Sequence, residues 1–447
     1  MSPEKTIIFA NTAEAFKDQL LESGNTDEGQ ARIRHELALS QRAFFWEKDH
    51  KVVVTPYGIP EALINHNSQV LGFQDVINVS PRELSLDLSA QVQGDIKLWT
   101  ELVQLLRDNP GSKLSPYAYT PGFIQIINRL RGENVNFQVS EEPTDPNIAS
   151  FLDSKAGFRQ IMIELSVLHP EVKIPAGQIC STRSEAIDFV QSLFAQGKAG
   201  VIKANMGESG WGTIFLKPED FSDVAELNSH IDRVLDGDNI WRGGLLIAEE
   251  YIHPDLSVSG GSPSTELYVD NQGHRITYSC EQVVSPSGEF LGVGVGAGSV
   301  KPEFLTTLET AANIVGQRYY DLGYRGFFDM DFVISTDGTP YAVETNTRRT
   351  GGTNVYDIAR AVFGEQQSLW GYLLSQDSLR YGDQAVNAEE LLARSQKLLY
   401  PMNGSKRGVI ITLINTSDPV LGYVAIGDDK AEVLRLQKQI KRSLLGK

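Results

Sequence analysis

One stretch constrains this chain more than any other: Phe327-Phe-Asp-Met-Asp-Phe-Val-Ile-Ser-Thr-Asp-Gly-Thr-Pro-Tyr-Ala-Val-Glu-Thr-Asn-Thr-Arg348. Two runs of alternating apolar and polar residues flank Asp337-Gly338. That dipeptide predicts a two-residue hairpin turn, because both central residues of a type I′ turn need positive φ. With those two residues as the loop, Asp331 faces Glu344 and Asp329 faces Asn346. Side chains alternate along a strand, so all four share one face. The other face carries Phe328, Met330, Phe332, Ile334, Tyr341 and Val343 and is expected to be core. Three carboxylates and an amide crowded together repel unless cations sit among them. An oxygen-rich set of this kind suits Mg²⁺, which takes one or two carboxylates plus nucleotide phosphates. A solvated hairpin face would also carry acids. The Arg348-Arg349 pair directly after the strand favours a phosphate site over that reading.

A second segment, Val201-Ile-Lys-Ala-Asn-Met-Gly-Glu-Ser-Gly-Trp-Gly-Thr213, runs from a strand into a glycine-rich loop. Gly207, Gly210 and Gly212, with Ser209 among them, allow backbone N–H groups to approach an anion, and Lys203 adds charge from the strand below. A flexible turn would have the same composition. The loop lacks the Gly-Lys-Ser/Thr ending of a Walker A motif. A third segment, Leu245-Leu-Ile-Ala-Glu-Glu-Tyr-Ile252, is an apolar strand ending in two acids. It offers either an adenine edge or a strand that has reached the surface. Gly292-Val-Gly-Val-Gly-Ala-Gly298 is expected as a connection between a strand and a helix, either shaping an acceptor pocket or acting as a loop. Pro110-Gly-Ser-Lys-Leu-Ser is expected as a loop.

Length and composition set the frame. The 447 residues suggest about three domains, or two with additions. A net charge of −17 argues against sequence-independent nucleic-acid binding, which needs a cationic surface. No apolar run is long enough to span a membrane. The N-terminus lacks the features of a signal peptide, and two cysteines in unrelated contexts suit a reducing cytoplasm. Short apolar strands at Thr6-Ile-Ile-Phe and Val52-Val-Val, with helical spacing over 98–107 and 122–130, predict an N-terminal α/β domain over 1–145. The polar, proline-containing Ser140-Glu-Glu-Pro-Thr-Asp-Pro-Asn is its linker. A core domain over 146–385 and a small C-terminal α/β domain over 386–447 complete the expected order. In the last, Arg407-Gly-Val-Ile-Ile-Thr-Leu-Ile is a strand and 430–445 a basic amphipathic helix.

The order of the parts is itself informative. A lysine near a helix start (Lys155), a strand lysine with a glycine-rich loop (Lys203 to Gly212), a strand ending Glu-Glu-Tyr-Ile and then Asp331…Glu344-Thr-Asn-Thr-Arg348 together resemble the ATP-grasp superfamily of carboxylate–amine ligases. The resemblance covers about residues 150–360. It implies a pre-ATP-grasp α/β domain, then a two-subdomain core that grips ATP, then a small C-terminal α/β domain. The layout is similar to the pheganomycin-type peptide ligases. The resemblance implies ATP and Mg²⁺ as cofactors. Lys155, Lys203 and the loop with Gly207, Ser209, Gly210 and Gly212 would hold the phosphates, and Glu249, Glu250, Tyr251 and Ile252 the adenine. Asp255 is the nearest acid for the ribose, where family members often have a glutamate. Asp331, Glu344 and Asn346 would hold the metal, and Arg348 with Lys203 would serve phosphoryl transfer. The implied reaction joins a small-molecule carboxylate to an amine, an amino acid or a peptide, through an acyl-phosphate in small-molecule or peptide natural-product biosynthesis. The alternatives are attachment of an amino acid to a non-peptide core such as a mycosporine precursor, and a non-catalytic nucleotide-binding module. Expected partners are those small molecules, with neither nucleic acid nor membrane, and a homodimer is the expected assembly if there is one.

Overall fold

A computed structural model describes residues 4–24, 26–207, 210–242, 244–284 and 290–445. Its strands form three sheets. The first contains β1 (Thr6–Phe9), β2 (Lys51–Val54), β3 (Val76–Val79), β4 (Ser112–Pro116) and β5 (Phe137–Val139) in the order β3-β2-β1-β4-β5, all parallel. Strands covered on both faces read as continuous apolar runs, and Ile7, Ile8, Phe9, Val52, Val53 and Val54 are all buried. Leu102, Leu106, Phe123 and Leu130 pack on one face of this sheet, and Phe16, Leu20 and Leu37 on the other. The Pro110-Gly-Ser-Lys-Leu-Ser fragment expected as a loop becomes strand from Ser112, because β4 pairs with β1 and β5 on its two edges.

The second sheet is small: β6 (Gly177–Cys180), β7 (Gly200–Ala204), β8 (Thr213–Leu216) and β9 (Leu246–Glu250), in the order β6-β9-β7-β8. Its apolar face, with Ile202, Ile214, Leu216 and Ala248, packs on the helices Arg183–Phe194 and Val224–Gly237. The opposite face presents Val201, Lys203, Ile247 and Glu249, by strand alternation and register.

The third sheet has eight strands: β10 (Pro263–Asp270), β11 (Gly273–Val284), β12 (Phe290–Gly296), β13 (Gly326–Ile334), β14 (Pro340–Asn346), β15 (Tyr372–Arg380), β16 (Gly408–Ile414) and β17 (Val420–Gly427). Its order is β14-β13-β10-β11-β12-β15-β17-β16. The stretch from 386 onward therefore adds β16 and β17 to the sheet that carries the hairpin. The glycine-rich 292–298 segment is not a strand-to-helix connection. Most of it is β12, an interior strand between β11 and β15. Its alternating valines, Val293 and Val295, are buried, and glycines fill the other positions because neighbours come too close for a side chain. A Cβ on Gly294 would stand 2.1 Å from the Tyr372 hydroxyl. Among the described residues, no helix is long and apolar enough to cross a membrane.

Candidate functional site

The β13–β14 hairpin pairs Asp329 with Asn346 and Asp331 with Glu344, the register expected from the sequence. It reaches that register by another route. Asp337-Gly338 is not a two-residue type I′ loop. The Gly338 N–H donates to the Ser335 carbonyl and the Ser335 N–H to the Thr339 carbonyl, so the turn holds three residues, and only Gly338 takes a left-handed φ, +81°. That turn pairs Ile334 with Pro340 and Phe332 with Ala342. The register then shifts between Phe332 and Asp331, with Val343 as the extra residue of a β-bulge. Below the bulge the polar pairs fall into line. Above it, the faces differ from expectation. Ala342, not Tyr341 or Val343, joins the core with Phe328, Met330 and Phe332.

On the polar face, the Asn346 amide donates to Asp329 Oδ1 (2.9 Å) and Asp331 Oδ2 (3.2 Å). Gln282 Nε2, from β11, donates to Asp331 Oδ1 at 2.5 Å. Burial, and then the neighbouring Glu266, push the Asp329 carboxyl up to about 7. Burial together with Asp329 and Glu344 holds Asp331 well above the usual carboxylate range. Glu344 behaves oppositely. Burial works to raise it, but Lys155, Lys203 and Arg348 outweigh burial and hold it below the usual range.

Cations reach this face from separate elements. Lys155 opens the helix Lys155–Leu168, whose N-cap Ser154 accepts from the Gly157 N–H. The Lys155 ammonium lies 2.9 Å from Glu344 Oε1 and donates to the Gly207 carbonyl at 3.0 Å, joining the hairpin to the glycine-rich segment. Lys203 on β7 lies 2.7 Å from Glu249 Oε2 and donates to the Val343 carbonyl at 3.2 Å. The carbonyl it reaches belongs to the bulge residue. Arg348 pairs with Asp153 at 2.5 Å, donates to Asn346 Oδ1 at 2.9 Å and lies over the Phe16 ring.

Arg349 does not share this role, although the sequence pairs it with Arg348 as a phosphate cation. It is 1% exposed and points into the seam with the N-terminal sheet. There it meets Glu141 (3.0 Å), Glu47 (3.3 Å) and Ser115 Oγ (2.8 Å), and stacks on Phe327.

Glu249 is buried, with its carboxylate divided between Lys203 and Arg159 Nη1 (2.7 Å). Glu250 pairs with Lys198 near the surface (2.9 Å). The Glu250 and Tyr251 N–H groups donate to the Ala176 and Ala199 carbonyls. Among the described residues the Ile252 backbone makes no hydrogen bond. Asp255 folds into its own turn, accepting from the Ser257 hydroxyl (2.7 Å) and N–H. Its N–H donates to the Ile334 carbonyl, tying the segment after β9 to the hairpin. Gly207, Gly210 and Gly212 flank Glu208 and Ser209. Those two lie outside the described residues, so the structure does not place Ser209. Arg159 and Gln282 escaped the sequence reading. Arg159 follows Lys155 by four residues, a spacing that puts both on one helix face.

Among the described residues, no three His, Cys, Asp or Glu side chains gather to hold a metal. Asp331 and Glu344 supply two carboxylates, the number Mg²⁺ takes when phosphates supply the rest of its oxygens. The Asn346 carbonyl faces Arg348 and its amide nitrogen faces the acids, so Asn346 joins that set only with its amide turned over. Close packing of Asp331 against Asp329 and Glu344 is the kind of repulsion a hard cation relieves.

No protein-family model matches the chain. An L-propargylglycine–L-glutamate ligase from Streptantibioticus cattleyicolor is 29% identical over 298 residues, covering 65% of this chain; the chain spans 58% of that relative's length. Biotin carboxylase from Campylobacter jejuni, solved as its β-γ-ATP complex, matches with a TM-score of 0.57 and 14% identity, over 99% of this chain and 95% of the other. N5-carboxyaminoimidazole synthetase from Staphylococcus aureus, complexed with ADP, matches with a TM-score of 0.51 and 11% identity, over 98% and 97%. The architecture shared with these structures is the ATP-grasp fold.

Proposed function

We propose that this ATP-grasp chain is an ATP- and Mg²⁺-dependent, ADP-forming ligase that joins a carboxylate to the amine of an amino acid or peptide through an acyl-phosphate. One observation carries the reading. Asp331, Glu344 and Asn346 share one hairpin face, and Lys155, Lys203 and Arg348 are directed to its edge by a helix, the small sheet and the chain after β14. Phosphoryl transfer needs positioning and charge neutralisation more than covalent help, and this set supplies both.

Mg²⁺, when bound by Asp331, Glu344 and Asn346, neutralises charge on the terminal phosphates. Lys155 and Lys203 hold those phosphates between the two sheets, and the unbonded backbone of Ile252 offers the adenine an edge. A carboxylate oxygen of the acid substrate attacks the γ-phosphorus and ADP leaves. Arg348, held by Asp153 and Asn346, steadies the phosphoryl group in transit. The amine then attacks the acyl carbon, phosphate departs, the nitrogen loses a proton, and an amide remains. The name of the curated relative, which joins two amino acids, supports amino-acid substrates. A place in small-molecule or peptide natural-product biosynthesis is part of the same proposal.

The test is nucleotide analysis of reactions with panels of acids and amines. ADP and phosphate are expected, with hydroxylamine trapping the acyl-phosphate as a hydroxamate. AMP as the dominant nucleotide would overturn the mechanism.

A further inference from the structure

The contacts around the two lysines close into a ring. Lys155 reaches Glu344 on β14. One helical turn later, Arg159 reaches Glu249 on β9. Glu249 holds Lys203 on β7, and Lys203 returns to the carbonyl of Val343, beside Glu344. A single helix thus ties the large sheet to the small one, and Arg159 is the link with no counterpart in the phosphate-binding set.

Arg159 is 2% exposed, and burying it is costly. Its Nε has no hydrogen-bond partner among the described residues. Its Nη2 donates to the Pro175 carbonyl (3.0 Å) and occupies space that a side chain at Gly177 would need, since a Cβ there would stand 2.6 Å away. Buried ion pairs are weak stabilisers compared with apolar packing of the same volume, so stability alone explains such a placement poorly. Charge explains it better. Glu249 alone opposite Lys203 would make a neutral pair. Because Glu249 gives one oxygen to Arg159 and the other to Lys203, the three groups together carry one positive charge.

We infer that Arg159 is a positioning residue for nucleotide binding. It occupies half of Glu249, fixes the Lys203 ammonium toward the hairpin and keeps that ammonium's charge available to a phosphate. This rests on the nucleotide reading above, and makes one prediction that a merely structural arginine does not. Removing Arg159 lets Glu249 neutralise Lys203, so removing the Glu249 charge as well restores the missing positive charge.

The experiment is calorimetric titration of the whole chain with MgADP. Arg159→Met is expected to weaken binding about tenfold, and Arg159→Met with Glu249→Gln to recover most of that loss. Arg159→Lys, which keeps the charge and is the milder change should the methionine variant fold poorly, is expected to bind within about threefold of the unsubstituted protein. Unchanged binding in Arg159→Met, or weaker binding in the double variant than in the single one, would overturn the role given to Arg159. Equal losses in Arg159→Lys and Arg159→Met would overturn it too. Absence of MgADP binding by the unsubstituted chain would instead overturn the nucleotide reading beneath it.

Discussion

The two ends of the eight-stranded sheet are built on opposite terms. At one end, β13 and β14 bring Asp329, Asp331 and Glu344 together against their mutual repulsion, with burial driving two of the three carboxyls upward. At the other end, β16 and β17 are buried on both faces and, Thr412 apart, β16 is built of apolar residues. Val409, Ile410, Ile411, Leu413 and Ile414 are all wholly buried, and all but Leu413 share a core with Val433, Leu436 and Ile440 of the helix Lys430–Leu444. One sheet therefore carries stability at one edge and unresolved charge at the other. The contrast teaches that the polar end is tolerable because the apolar end supplies the packing: residues that chemistry requires are seldom those that packing would choose.

The comparison breaks most readily at Glu344. Glu344→Gln is expected to reduce ADP release by about a thousandfold while the melting temperature stays near that of the unsubstituted protein. A large fall in melting temperature would mean that the hairpin end is also a stability element. The next largest effect belongs to Arg349, whose removal strands Glu141 and Glu47 in a buried seam. Arg349→Met is expected to cost about 4 kcal/mol in a denaturant titration, with turnover per folded molecule preserved. Ile410→Ala sharpens the contrast from the far end. It deletes buried methyl groups from β16 and is expected to cost about 3 kcal/mol in the same titration, again without loss of turnover per folded molecule.

The smallest effect is a pH dependence. Burial works to raise the Glu47 carboxyl, but Lys113 and Arg349 outweigh it and hold it at about 2, below its ordinary 4.5. A depressed carboxyl contributes stability that is complete above its unfolded value and is lost as pH falls through its folded value. The melting temperatures of the unsubstituted protein and Glu47→Gln should therefore differ fully at pH 6 and converge as pH approaches 2. A constant difference across that window would mean that Glu47 acts through shape and not charge.

Much of this architecture is legible in the amino-acid sequence. Alternation placed Asp331, Glu344 and Asn346 on one face, and apolar runs placed β1, β2, β7 and β9. Where the reading failed, some usable signal was present. Arg348 shares the parity of Asn346 and Glu344, whereas Arg349 does not, so continuing the alternation two residues further would have separated them. Val293 and Val295 carry a period of two within the glycines, which marks a strand. Arg159 stands one helical turn from Lys155. Other features had no local signal. That β16 and β17 would extend the hairpin's sheet depends on partner choice over long separations in sequence. Confinement of Glu249 to Arg159 and Lys203 depends on a helix and a sheet meeting in space.

The Val343 bulge carries a consequence for how this hairpin can change. Thr336 in the turn and Val343 in the bulge are both residues without a partner across the ladder. Removing Thr336 leaves Asp337-Gly338 as a two-residue loop that still closes Ser335 on Thr339. Removing Val343 leaves Ala342 opposite Phe332 and Glu344 opposite Asp331. Either loss keeps the acids on one side and the apolar layer on the other, so the hairpin can shorten one residue at a time without a slip of register. What goes with Val343 is the carbonyl that Lys203 reaches.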